Sequence, residues 1–143
     1  MIYRLSERAD WRAAQTSGLY LSADLGMEGF IHTSTAQQVM GVAFRYYQNR
    51  SDLVLIEMEE GPLGETLRWE ASTGGELFPH VYGPIPLQAV RRISSFPEVS
   101  DSSQTTPELS QQAVSTLAWQ PWPPTELMPE SLPATYSDER GDA

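Results

Sequence analysis

An uninterrupted apolar run in the middle of the chain restricts the fold more than any other feature. Residues 53–56 place apolar side chains on both faces of an extended segment, and alternation with acidic residues begins only at Glu57. A strand that is apolar on both faces must be covered on both sides. Residues 52–59 therefore predict an interior strand of a sheet.

The stretch from residue 28 to residue 47 has the pattern of a strand that runs into a helix. Gly29 supplies a turn before Phe30 and Ile31, which suit a strand. Ser34 and Gln37 stand three positions apart, which is the capping-box spacing that starts a helix. Five apolar residues then recur at helical spacing and predict its buried face, namely Ala36, Val39, Met40, Ala43 and Tyr47.

His32, Thr33 and Ser34 lie where this predicted strand ends and the predicted helix begins. The first backbone N–H groups of a helix lack intrahelical partners and favour anionic groups. A histidine and two hydroxyls at this place therefore predict a phosphate or ribose site. A serine cap and a histidine bonded to a carbonyl would give the same sequence, so a purely structural role stays open.

The remaining elements of the first 96 residues are shorter. Residues 2–5 predict a first strand and residues 87–96 a last one. Residues 7–16 have a weak helical pattern, for which Ser6 is the predicted cap and Gly18 the predicted left-handed stop.

Two further segments predict extended structure, one as a regular strand and the other as an edge strand or a loop. Residues 66–70 alternate as a strand should, so Trp69 faces one way and Glu70 the other. Residues 77–86 contain three prolines, each of which lacks the N–H group that a ladder needs. This density excludes a helix and a central strand, and it predicts an extended edge or a loop of the kind found in active sites.

The composition excludes several classes of partner. The chain has no cysteine and no lysine, which rules out disulfides, thiolate metal sites and lysine nucleophiles. Its net charge is −10, and residues 97–143 carry eight acidic residues against one arginine. An acidic chain without a basic stripe argues against nucleic acid and against a membrane surface. Because the sequence has no signal-peptide core and no membrane span, we expect a cytoplasmic protein.

Residues 97–143 differ in composition from the preceding 96. They hold seven of the eleven prolines, and only residues 108–119 have helical patterning. We therefore predict one folded domain at 1–96 and an acidic, Pro- and Ser-rich, mostly disordered tail at 97–143. Trp119 and Trp122 stand beside prolines and are candidates to dock on the domain or on a protein partner, with a weakly ordered linker end as the alternative.

Both histidines of the chain fall in motif-like settings. His32 ends a predicted strand, and His80 lies in Phe-Pro-His-Val-Tyr-Gly. Imidazole titrates near neutrality, so two of them across one cleft can serve as acid and base or can hold a ribose and a phosphate. Two histidines bonded to carbonyls are the structural alternative. The sequence has no ligand spacing for a metal site, no Gly-x-Ser-x-Gly elbow and no Gly-rich phosphate loop.

Two enzymatic hypotheses fit these residues. In a two-histidine phosphoesterase a serine or threonine follows each histidine at the second position. Ser34 fits this pattern after His32, but after His80 the position holds Tyr82 instead. A transferase acting on a nicotinamide dinucleotide would use a histidine on the ribose, an aromatic ring on the nicotinamide and a glutamate that orients the ribose hydroxyl. Glu70, next to Trp69, is the candidate glutamate, although a surface glutamate paired with arginine is more common.

Together these motifs resemble the bacterial and plant family known as domain of unknown function 952. The resemblance rests above all on Gly-Phe-Ile-His at residues 29–32 and Phe-Pro-His-Val-Tyr-Gly at residues 78–83, and it covers roughly residues 1–95. It implies an α+β domain similar to the ADP-ribosyltransferase fold, a small, mostly antiparallel, split sheet with two flanking helices and a cleft for NAD. No Glu-x-Glu or Gln-x-Glu pair stands where many such transferases carry one.

Within this resemblance His32 takes the place of the ribose-binding histidine. The candidate catalytic residues are His32, His80 and Glu70, and the candidate cofactor-binding residues of the same cleft are Thr33, Ser34, Trp69 and Tyr82. NAD is the candidate cofactor, and no metal is expected. We expect a domain that binds a small molecule or nucleotide, with ADP-ribosyl transfer as its candidate activity. The alternative is a non-catalytic binding or protein-interaction domain.

Overall fold

An antiparallel sheet of four strands forms the centre of the fold. The strands follow the spatial order β1 (Ile2–Glu7), β4 (Leu53–Met58), β8 (Val90–Ser95) and β9 (Gln120–Pro121). This computed structural model describes residues 1–100 and 105–124. All six residues of β4 are buried between β1 and β8, so the prediction of an interior strand is confirmed.

Helices cover both faces of this sheet. One face packs against α1 (Arg8–Ser17) through Trp11, and the other packs against α3 (Val39–Tyr46) and α4 (Pro107–Ser115), the latter through Val114. Two apolar clusters result, one on each side of β4. The apolar run that predicted an interior strand is thus divided between two cores. Among the described residues no helix has the length and apolar character needed to cross a membrane.

The first helix begins without the cap that the sequence predicted, and it ends at the predicted glycine. β1 extends through Ser6, and Glu7 precedes α1 without a side-chain cap, so the prediction of a Ser6 cap is wrong. Gly18 ends the helix in the left-handed region, with φ of 86°, and its N–H donates to the Ala14 carbonyl at 2.7 Å. The predicted left-handed stop is confirmed.

A second sheet carries both histidines. Its three antiparallel strands follow the order β3 (Ile31–His32), β6 (Leu77–Val81) and β5 (Leu67–Ala71). A two-stranded pair, β2 (Leu19–Tyr20) with β7 (Ile85–Pro86), lies apart from it. The short helix α2 (Ala23–Glu28) leads into β3. These antiparallel sheets with a few helices confirm the α+β class.

The prediction that residues 77–86 contain no central strand is wrong. β6 is the middle strand of the second sheet although it contains Pro79. The Pro79 carbonyl points to β3 and accepts the Thr33 N–H at 3.2 Å, and the imide nitrogen of an extended residue faces the same side. The N–H group that Pro79 lacks would therefore point to the end of the two-residue strand β3. The hydrogen bonds between β6 and β5 are not affected.

The helix predicted to start at Ser34 starts later. α3 begins at Val39, and Gln38 precedes it without a side-chain cap. Ser34 instead exchanges two backbone hydrogen bonds with Tyr3, both of 2.8 Å. Ser34 therefore belongs to a strand pairing five positions before the first residue of α3, whereas an N-cap must directly precede its helix to reach the free N–H groups of the first turn.

Part of the predicted disordered tail is folded. α4 packs on α3, and β9 pairs with β8 at the sheet edge. The guanidinium carbon of Arg92 lies 4.4 Å from the centroid of the Trp119 ring. The ring centroids of Trp122 and Trp11 are 5.1 Å apart. Disorder after residue 96 is therefore a wrong prediction for 105–124, while 101–104 and 125–143 lie outside the described residues.

Substitutions in α4 test whether the C-terminal segment belongs to the folded domain. Val114 is 2% exposed in the core on one face of the sheet, whereas Leu109 is 54% exposed on the same helix. We expect Val114→Ala to lower the free energy of unfolding by about 2 kcal/mol because it leaves a cavity. The matched Leu109→Ala should change it by less than about 0.5 kcal/mol. Urea unfolding of the full chain measures both, and equal values would contradict the docking of α4.

Candidate functional site

The two histidines are direct neighbours on one face of the second sheet. His32 on β3 pairs with His80 on β6, and residues directly opposite in an antiparallel pair project from the same face. Their ring centroids are 5.3 Å apart, and the ring planes meet at 80°. The structure thus brings together the two imidazoles that the sequence placed 48 positions apart.

A carboxylate fixes the proton of the His80 ring. His80 Nδ1 lies 2.8 Å from Glu70 Oε1, and the Tyr82 hydroxyl donates to the same oxygen at 2.7 Å. An ionised carboxylate only accepts hydrogen bonds, so Nδ1 carries the proton and Nε2 of the neutral ring is an acceptor. The His80 side chain is 12% exposed.

His32 is held in the opposite tautomer. Its Nε2 lies 3.0 Å from Glu28 Oε1, so Nε2 carries the proton and Nδ1 is the free acceptor. Glu28 is the last residue of α2, and Gly29, with φ of 89°, reverses the chain so that the carboxylate returns over the strand. The His32 side chain is 49% exposed and meets solvent directly.

Phe30 joins these groups, and the sequence reasoning did not select it. Its ring stacks on His80 with centroids 4.1 Å apart and lies 4.8 Å from His32 and 5.2 Å from Tyr82. Phe30 stands two positions before His32, and this period-two spacing was the signal that could have found it. The Arg68 guanidinium lies 4.7 Å above the Tyr82 ring. We call these groups the histidine site: Glu28, Phe30, His32, Arg68, Glu70, His80 and Tyr82.

A buried arginine fixes the strand that carries His32. Arg4 Nη1 donates to Asp24 Oδ2 at 2.9 Å and to the His32 carbonyl at 3.0 Å, and Arg4 Nε donates to the Tyr20 hydroxyl. Asp24 Oδ2 also accepts the His32 N–H at 2.9 Å. Burial alone would raise the pKa of Asp24, but Arg4 and the His32 N–H together lower it. Both backbone groups of His32 are therefore anchored to one ion pair.

Trp69 does not join the histidine site, so its predicted place in the cleft is wrong. Trp69 pairs with Pro79, whereas Glu70 pairs with Phe78. Adjacent residues of a strand project from opposite faces, so Trp69 and Glu70 cannot line one surface. The Trp69 side chain lies on the far face of the sheet and is 43% exposed.

Thr33 and Ser34 also lie outside the site. Thr33 is 3% exposed, and its hydroxyl donates to the Pro79 carbonyl at 2.7 Å. Ser34 is 7% exposed and bridged to Tyr3. The predicted anion site at a helix start is wrong because α3 begins five residues further on, at Val39. Both hydroxyl residues stabilise the strand that ends in His32.

The site has the groups for acid–base chemistry. Hydrogen bonds from His80 and then from Tyr82 lower the pKa of the Glu70 carboxyl, and the bond to Glu70 raises the pKa of Tyr82. Glu70 is therefore an ionised acceptor that orients its neighbours. The unprotonated nitrogen of an imidazole can accept a proton from a bound group and later return that same proton, so each ring can act first as a base and then as an acid. Within the described ranges no group of three His, Asp or Glu side chains could hold a metal ion.

The chain belongs to the family described as protein of unknown function (DUF952), whose model matches residues 5–93. All residues of the histidine site fall within that match. The resemblance drawn from Gly-Phe-Ile-His and Phe-Pro-His-Val-Tyr-Gly is thus confirmed for the family. Among curated proteins no match is found.

Solved structures of protein CC0527 from Caulobacter crescentus are similar to this chain. A crystal structure superposes with a TM-score of 0.68 at 37% identity, over 79% of this chain and 97% of that one. A double-mutant crystal structure gives 0.68 at 36% identity with the same coverage. The solution NMR structure gives 0.60 at 40% identity, over 67% and 84%. The crystal-structure match exceeds the length of residues 1–96, so the likeness includes part of the segment predicted as a tail.

Removing one donor from Glu70 should change its titration. Because the Tyr82 hydroxyl helps to lower the pKa of Glu70, Tyr82→Phe should raise that pKa toward the ordinary value of 4.5. Carboxyl-carbon NMR titration of Glu70 measures the shift. Tyr46→Phe, at a tyrosine that is 70% exposed on α3, is the matched control and should leave Glu70 unchanged. An unchanged pKa in Tyr82→Phe would contradict the hydrogen bond.

The Asp24 carboxylate should make stability depend on pH. Its pKa is lower in the folded protein than the ordinary 3.8, so its contribution is present above that value and is lost as the pH falls through the folded pKa. We expect Asp24→Asn to cost about 3 kcal/mol at pH 7, because Arg4 loses a buried partner.

The cost should shrink below pH 3.8. Urea unfolding across this pH range measures it, with Asp52→Asn as the control. Asp52 pairs with Arg50 at the surface and should matter much less. A pH-independent difference between Asp24→Asn and the parent would refute the ionic role.

Proposed function

We propose that this protein binds a small ligand, NAD or another nucleotide, in the histidine site. The observation that carries the proposal is the cross-strand pair of His32 and His80, with one free acceptor nitrogen on each ring. Ribose presents neighbouring hydroxyls, and two acceptors on adjacent rings match that pattern. The rest of the site offers further contacts of the kinds a nucleotide needs.

Arg68 and Phe30 supply those contacts. The Arg68 guanidinium has no carboxylate partner within 4.0 Å among the described residues, and guanidinium groups bind phosphate through paired N–H donors. The Phe30 ring already stacks on His80, and flat aromatic surfaces accept a base or a nicotinamide by stacking. A ribose between the imidazoles, a phosphate toward Arg68 and a ring beside Phe30 describe the proposed ligand.

ADP-ribosyl transfer is the proposed activity, in line with the ADP-ribosyltransferase-like fold that the sequence resemblance implies. Antiparallel sheets divided into separate parts, with His32 at the end of an early strand, support that likeness. In such a reaction the carboxylate of Glu70 would stabilise positive charge that develops on the ribose. The histidines would hold the ribose hydroxyls and move a proton at their free nitrogens.

A second candidate function, non-catalytic protein interaction, is favoured by two exposed apolar side chains on the far face of the second sheet. Trp69 is 43% exposed and Leu77 is 54% exposed, and they project from neighbouring strands. Exposed aromatic side chains are enriched at protein interfaces. The tail tryptophans no longer support this candidate, because Trp119 and Trp122 pack on the domain.

Thermal unfolding of the full chain with NAD, ADP-ribose, nicotinamide and common nucleotides tests the proposal. A ligand at about 100 times its Kd stabilises a protein by about 2.7 kcal/mol, so at least one compound should raise the Tm measurably. His32→Ala should abolish the shift without unfolding the protein, since the His32 side chain is 49% exposed. His80→Ala should have the same effect on binding.

Trp69→Ala is the matched control, because Trp69 lies on the same sheet but on the opposite face. It should leave the ligand-induced shift intact. If no compound of the panel stabilises the folded parent protein, the nucleotide proposal fails and the far face becomes the leading candidate. If Trp69→Ala abolishes the shift as His32→Ala does, the ligand does not occupy the histidine site.

A further inference from the structure

A second concave surface, separate from the histidine site, lies between α1 and the central sheet. It encloses about 440 Å³, a volume within the range that small-molecule sites occupy. Its rim carries Arg8, Arg12 and Gln15 from α1 and Ser95 from β8, and Ile93 contributes to its apolar floor. We call it the arginine groove. It shares no residue with the histidine site.

The groove gathers positive charge in an acidic chain. The chain has a net charge of −10, yet all ten residues that line the groove are neutral or basic. Arg8 and Arg12 stand four positions apart on α1, so their guanidinium groups emerge from the same helix face. Like charges at this spacing repel one another, and a bound anion between them would remove that repulsion.

Four other arginines of the domain are neutralised within the fold. Arg4, Arg50, Arg91 and Arg92 each pair with a carboxylate. Over residues 1–100 and 105–124, neither groove arginine has a carboxylate within 4.0 Å. The hydrogen bond that Arg8 makes with its side chain is a long one, 3.4 Å from Nη2 to Ser95 Oγ. Its planar donors therefore remain available.

The lining also defines what lies beyond the charged group. Ile93 and Ala118 retain exposed surface and give the groove an apolar part next to its arginines, whereas Trp11 and Val54 are already buried. Gln15 and Gln120 add amide groups at the edge. A bare inorganic ion would leave the apolar part in contact with water, whereas an apolar body attached to the anion would cover it.

We propose that the arginine groove binds a small organic anion, a phosphate or carboxylate carried on a flat apolar body. The anion contacts the guanidinium groups of Arg8 and Arg12, and the apolar body lies against Ile93. Planar guanidinium groups bind both kinds of anion through parallel N–H bonds, so carboxylate and phosphate share this chemistry. This inference does not depend on the function proposed for the histidine site.

NMR titration of the full chain with phenyl phosphate and with benzoate tests the proposal. We expect the side-chain Nε–Hε signals of Arg8 and Arg12 to shift with at least one probe at millimolar concentration. The response to each probe tells whether phosphate or carboxylate is preferred. Benzamide, which has the same ring without the charge, should shift neither signal.

Arg12→Gln and Arg45→Gln provide the matched comparison. Both arginines are exposed on helices, and each substitution removes one positive charge, but Arg45 on α3 lies outside the groove. Arg12→Gln should weaken binding of the preferred probe about tenfold, because a charge-assisted hydrogen bond is lost. Arg45→Gln should change the affinity less than about twofold, as expected for a distant surface charge.

Two outcomes would overturn the proposal. One is the absence of any shift at Arg8 and Arg12 with both anionic probes. The other is equal weakening by Arg12→Gln and Arg45→Gln, which would show attraction to surface charge in general. His32→Ala separates the two sites, since it should leave binding in the groove unchanged whatever it does to nucleotide binding.

Discussion

The buried guanidinium of Arg4 holds together parts of the fold that no sheet connects. Arg4 belongs to β1 of the central sheet, and its three contacts reach Tyr20 in β2, Asp24 in α2 and the His32 carbonyl in β3. A charge placed at this depth must be paired and hydrogen-bonded, and every one of these partners supplies that need. The position of β3 relative to the central sheet therefore depends on this cation together with the backbone bridge between Tyr3 and Ser34. The same ion pair fixes the backbone of His32 and thereby the place of its imidazole in the histidine site.

The two faces of the second sheet have different roles, because alternate residues of each strand project from opposite faces. In β6 the residues Pro79 and Val81 turn inward and are buried, while His80 turns outward toward Phe30. The same period places the tightly packed core and the polar site one residue apart in sequence. Any register slip of β6 against β3 by one position would bury an imidazole and expose Val81. The two backbone hydrogen bonds that anchor His32 therefore protect the site and the core together.

Short sequence patterns correctly predicted the elements whose conformation depends on residues that are close in sequence. The apolar run of β4 and the left-handed Gly18 both act within a few residues, and both predictions hold. Ser34 misled because its conformation depends on Tyr3, which is distant in sequence. The C-terminal segment misled because composition does not report that Val114 meets the sheet or that Trp119 covers Arg92.

The same distinction between features set by nearby residues and features set by distant ones applies to the histidine site. The sequence selected His32, His80, Glu70 and Tyr82, which the structure brings together, because each stands in a short, informative motif. It missed Phe30 and Glu28, which contribute through the reversal at Gly29 and through cross-strand stacking. Trp69 could have been excluded from the sequence alone, since a strand cannot direct adjacent side chains to one surface.

The pairing of β9 with β8 also bears on how this chain is made. β8 leaves the ribosome well before Gln120 and Pro121, so the nascent sheet passes through a stage in which β8 is an open edge. An open edge presents unpaired N–H and C=O groups to any other strand. Premature termination after residue 100 would thus leave this edge of β8 without its β9 partner. Proteostasis of this chain therefore depends on the segment that carries β9 as well as on the core.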